Sequence, residues 1–207
     1  MRTSELPSHN TRLALAAAAA VLLVLPACSI NVKKADNGED KKVDIETPVG
    51  GIHVRKGADV RDTGLPVYPG AREKPVTKSG EEKSANVNIN GPGFGLKVVA
   101  VEFLSADAPE KVVAYYRDQL KRYGSVLECH TNNDDPLGNY DIHERHDGKK
   151  DSNELRCDHD NAGKNLELKV GTQDNQHIVS IKPQDNGNGT DFALVYVQTR
   201  GGKKDMI

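Results

Sequence analysis

The sequence predicts an α+β fold: one main helix packed on an antiparallel sheet, preceded by a disordered tether and a small N-terminal hairpin. Two observations carry this. The segment "DAPEKVVAYYRDQLKRYG" (107–124) has helical periodicity with a start and a stop signal. Around it lie short alternating or apolar runs separated by Gly- and Asn-rich turns, about two before the helix and about five after it. Strands and helix are grouped rather than alternating, which argues against a parallel βαβ architecture.

The elements follow in order. Residues 1–27 stand outside the fold. Arg2 and Arg12 oppose a single Glu5, and the run 13–27, "LALAAAAAVLLVLPA", carries no charge. A basic start, a short apolar run and a small residue before a cut form an export signal. The apolar run to Leu25 is about 13 residues long, short of the ~20 that a spanning helix needs. Residues 28–44, with "SINVKKADNGEDKKVD" after Cys28, are polar and charged and read as a flexible tether. Residues 45–63 form the small hairpin and a linker, with Pro48 and Gly50–Gly51 as turn signals. The globular domain spans 64–200, and 201–207 is a tail.

"GLPVYPGA" (64–71) opens the domain. Its two prolines fix φ near −65° and push Leu65 and Tyr68 toward extended geometry. Tyr68 is a candidate surface contact, and its competing role is to cap the core at the domain entry. A hairpin over 84–105 follows, with Val87 and Ile89 alternating with Asn86, Asn88 and Asn90, a turn at 91–93, then Val99, Val101 and Phe103 on one face. In the helix, Asp107 is expected as N-cap with Glu110 at capping-box spacing. Val112, Val113, Tyr116, Leu120 and Tyr123 form its apolar stripe, and Gly124 stops it. Strands are expected over 125–130, 153–158, 166–171, 176–183 and 191–199, with a long polar loop at 131–152.

Composition narrows the function. Among 207 residues, 28 are Lys or Arg and 30 Asp or Glu; residues 1–27 hold two arginines and one glutamate, so their removal moves the formal charge from −2 to −3. No basic excess points to nucleic acid. The chain has no Trp and 4% aromatic residues, which argues against an aromatic sugar-binding platform. The motifs G-x-S-x-G, H-E-x-x-H and S-x-x-K do not occur, so no catalytic residue is assigned, a non-enzymatic domain is expected and no cofactor is implied.

The three cysteines carry the sharpest readings. "LPAC" (25–28) resembles the lipobox of bacterial lipoproteins, with Pro26 where that motif usually has Ala or Ser. The resemblance implies that Cys28 is lipidated and becomes the mature N-terminus, so the partner is the membrane, reached through the N-terminal lipid. Ser29 in place of an aspartate implies outer-membrane sorting, with the domain facing the periplasm. Cys129 and Cys157 remain, and in an oxidising compartment a leftover pair points to one disulfide closing a loop of about 28 residues. The alternative is a metal site from His143, His146, Cys157 and His159. It lacks a tight ligand pair, although Cys157 and His159 would share a strand face.

"TPVGGIHV", "GLPVYPGA", "EKVVAYYRDQL" and "FALVYV", behind a lipobox-type signal, together resemble a group of exported bacterial proteins with a "YPGA" entry, a strand and a "KVV.YY" helix. The resemblance implies a cell-envelope location and supplies no catalytic residue. The expected function is a membrane-anchored envelope lipoprotein with a binding or scaffold domain, its partner another envelope protein; a metal-binding envelope protein is the alternative.

Overall fold

The computed structural model describes residues 29–33, 42–75, 83–132, 153–157, 161–185 and 187–201. The strands are β1 (Ser29–Lys33), β2 (Lys42–Thr47), β3 (Gly50–Lys56), β4 (Arg72–Glu73), β5 (Ser84–Gly91), β6 (Phe94–Ser105), β7 (Leu127–Thr131), β8 (Asn165–Thr172), β9 (Asn175–Pro183) and β10 (Thr190–Arg200). The helix α1 (Pro109–Leu120) lies between β6 and β7 and runs into a single 3₁₀ turn, Lys121–Tyr123. All strands join one antiparallel sheet in the order β1-β2-β3-β5-β6-β10-β9-β8-β7, with β4 beside β6. No helix among the described residues is long and apolar enough to cross a membrane.

The α+β expectation is corrected by this architecture. The described residues form a ten-stranded antiparallel sheet, and their 12-residue helix is a local cover over part of one face, not a layer that organises the fold. The tether and the separate hairpin are corrected with it. Ser29–Lys33, expected to be disordered, pairs along its whole length with β2. The 45–63 hairpin is no appendage, because β3 pairs with β5 from Lys56↔Ala85 to Gly51↔Asn90. The physical reason is shared. Short strands whose second face meets water carry only every other apolar residue, so "SINVK" offers two, and pairing partners supply the rest. Residues 153–157, expected as a strand, have no regular structure.

The core sits on one face of the C-terminal half. Phe103, Phe192, Leu194, Val179, Ile181, Leu168 and Val170 point from the sheet toward Val112, Tyr116 and Leu120 of α1. Tyr116 is fully buried, and Phe103 stacks on Phe192 with ring centroids 5.4 Å apart. Burying each such side chain contributes about 1.5–3 kcal/mol. The "GLPVYPGA" segment closes this core: Leu65 and Tyr68 pack into it, and the Tyr116 hydroxyl donates to the Pro66 carbonyl at 3.1 Å.

The helix start differs from expectation. Ala108 is the N-cap and makes no side-chain cap bond. Asp107 lies one residue earlier and holds two other groups: its Oδ1 pairs with Lys111 at 2.8 Å and its Oδ2 accepts from the Tyr68 hydroxyl at 2.9 Å. Pro109 occupies the first helical position, where an N–H would have no intrahelical partner, so its lack of one leaves one fewer donor to cap.

Candidate functional site

Directly opposed residues on neighbouring strands share a face, so the register reads out the surface of the sheet row by row. On the helix side of the N-terminal half, one row runs Asp44, His53, Asn88, Lys97, Gln198. The next runs Glu46, Gly51, Asn90, Gly95, Arg200. The alternation of Asn86, Asn88 and Asn90 with Val87 and Ile89 thus sends three amides to one face.

A shallow cleft of about 170 Å³ opens there, lined by Asn88, Asn90, Gly95, Leu96, Lys97, Gln198 and Arg200. Its side chains order one another. Arg200 Nη2 donates to Asn90 Oδ1 at 2.9 Å, and Asn90 Nδ2 donates to Asn88 Oδ1 at 2.6 Å. Gly95 leaves room for it, since a Cβ at that position would stand 3.0 Å from Arg200 Nε and the guanidinium would have to shift. The Lys97 ammonium lies 5.7 Å from the Tyr196 ring centroid, within cation–π range.

An aromatic row borders the cleft. Tyr196, His177 and Tyr123 follow one another with centroid separations of 5.0 and 3.9 Å. His177 Nδ1 is 2.8 Å from the Thr63 carbonyl oxygen, which only accepts, so Nδ1 carries the proton. Burial pulls the His177 pKa below the ordinary histidine value, and the Thr63 hydrogen bond opposes that without cancelling it. Further along, His53 lies between Asp44 (3.0 Å) and Glu46 (3.2 Å), and Lys42 pairs with Asp44 at 2.7 Å. Two cations, three amides and the half-buried Tyr196 ring suit recognition of a polar, anionic group. The cleft holds no nucleophile beside a base.

A second charged group sits on the opposite face. Lys74 reaches Asp191 at 2.9 Å and Glu102 at 3.2 Å. Burial alone would lower the Lys74 pKa, but the Asp191 hydrogen bond and the two carboxylate charges outweigh it and hold the ammonium above the ordinary lysine value. Asp191 Oδ1 has no hydrogen-bond partner.

The residues singled out from sequence fall in different places. Cys129 and Cys157 form a disulfide, with Cα atoms 5.3 Å apart. That bond takes the Cys157 thiolate away from the metal alternative. His143, His146 and His159 lie outside the described residues, as does Cys28. Among the described residues, no group of three or more His, Cys, Asp or Glu side chains is placed to hold a metal ion. Tyr68 is 8% exposed, edge-on to Tyr115 at 5.2 Å, with its hydroxyl held by Asp107. Little of it is left for a ligand. The Asn–Arg cleft was not found from sequence. Its signal was the asparagine alternation, but Lys97 and Arg200 join it only through pairing across three strands.

No protein-family model, no curated protein and no solved structure matches the chain.

Proposed function

We propose that this chain is a bacterial cell-envelope lipoprotein, anchored by lipid on Cys28, with its β-sheet domain serving as a non-enzymatic binding or scaffold domain for another envelope component. The observation that carries the reading is "LPAC" at 25–28 behind an uncharged apolar run and a basic start. The Cys129–Cys157 disulfide supports it, because such bonds persist in oxidising compartments. Each acyl chain contributes ~0.8 kcal/mol per buried CH₂, so several chains on one cysteine hold a domain firmly at a bilayer. Ser29 fits outer-membrane sorting with the domain on the periplasmic side. The cleft at Asn90, Lys97 and Arg200 gives the domain a surface for an anionic partner group.

The test is replacement of Cys28 by Ser with fractionation and fatty-acid labelling. The native chain is expected to take up label and sediment with membranes, and Cys28→Ser to take up none and lose firm membrane attachment. Equal labelling of both would refute the reading.

A further inference from the structure

The apolar side of the N-terminal half of the sheet is unusually ordered. By register, one row runs Ile30, Ile45, Ile52, Ile89, Leu96 across five strands. The row beside it runs Val43, Val54, Val87, Val98, Val197. The helix covers none of this, since α1 packs on the opposite face over β8 and β9.

Exposure concentrates at one end of the strands that carry these rows. Ile30 is 66% exposed, Val49 68%, Ile52 38% and Phe94 46%, four of the six exposed large apolar residues among those described. The pairings Ser29↔Glu46, Gly51↔Asn90 and Gly91↔Phe94 put the start of β1 and the turns at 48–49 and 92–93 at the same end of the sheet. Cys28 directly precedes that end. Two residues of extended chain reach about 7 Å, so Ile30 lies within that distance of the cysteine backbone.

We infer that this apolar end, centred on Ile30, Ile52 and Phe94, rests on the lipid bilayer surface, so that the domain is docked on the membrane rather than held off it. The inference rests on the lipid-anchor reading for the position of the bilayer. The same strands fix the orientation. Their other face carries Lys42, Asp44, Glu46 and Arg55, whose charges need water, together with the polar ring of His53, so only the isoleucine side meets acyl chains. The cleft is then left facing the aqueous compartment, beside the membrane.

The chain contains no Trp, so single substitutions report cleanly. Full-length Ile52→Trp and Phe94→Trp, with Val67→Trp near the helix as the comparison, are purified from membranes and reconstituted into phosphatidylcholine–phosphatidylglycerol vesicles with brominated acyl chains. Expected is a blue shift and loss of emission at 52 and 94, with neither at 67. Unquenched emission at both 52 and 94 overturns the inference. So does a blue shift that follows protein concentration without bromine quenching, which assigns the face to a second copy. The intact mass of each sample reports the state of Cys28. If Cys28 carries no lipid the anchor reading fails, and the inference then requires the same quenching when the chain is added to vesicles from solution; its absence overturns it.

Discussion

On the helix side of the sheet, β6 carries Lys97 and, four residues on, Val101. Lys97 lies in a row with Asp44, His53 and Asn88; Val101 faces Tyr116 and Leu194 in the core. The two halves of one continuous sheet therefore use this face in opposite ways. In the C-terminal half it is the covered side, with side chains at 0–2% exposure; in the N-terminal half it is the polar, water-facing side, and the isoleucine and valine rows occupy the reverse. The strands obey the same period-two alternation throughout. Covering elements make the difference: α1 and the 64–71 segment lie over one half only. Stability should thus concentrate in the half with the helix, leaving the other half free to specialise its surfaces.

Substitutions in the two halves test that division. The largest effect is expected at Tyr116, fully buried between helix and sheet: Tyr116→Ala should lose about 4 kcal/mol in urea unfolding through cavity formation. Next is the disulfide. Cys129→Ser with Cys157→Ser releases a loop of 28 residues, for an expected loss of about 3.5 kcal/mol on the chain-entropy model. This also loosens the far edge, where among the described strands β7 pairs only with β8.

A pH effect should follow from His177 at the boundary between the halves. Its folded pKa lies below the ordinary 6.5, so the unfolded chain binds the extra proton more readily. Its contribution is complete above pH 6.5 and is lost as pH falls through the folded value. Thermal melts between pH 7 and 5 should show a decline that is smaller in His177→Gln. The smallest effect is expected at Ile52, where Ile52→Ala should change urea stability by about 0.5 kcal/mol or less. A loss at Ile52 as large as that at Tyr116 would abolish the distinction between the halves.

Much of the C-terminal half was legible in the sequence because its signals are dense. "FALVYV" is apolar at nearly every position, and Val112, Tyr116 and Leu120 repeat at helical spacing and are all fully buried. The cysteine pair was legible by elimination, on the premise that Cys28 carries lipid and the domain is exported. The N-terminal half was harder, since its strands are amphipathic and short. Ile30 and Val32 mean little alone; only the register sets Ile30 in line with Ile45, Ile52 and Ile89. The weight given to the one strongly periodic helix therefore produced an α+β reading of a sheet protein. The cleft was illegible for a related reason. Asn90 and Arg200 are 110 positions apart in the chain, and the glycine over which the guanidinium lies carries no side chain to advertise it.

The proposed lipid anchor on Cys28 is tested most directly by the intact mass of the native chain extracted from membranes in detergent. The result expected is a chain beginning at Cys28, carrying acyl chains on that residue, with Cys129 and Cys157 oxidised to each other. A chain whose Cys28 is unmodified, or one cleaved elsewhere so that Cys28 is internal or missing, would contradict the anchor and remove the membrane from the account of this protein.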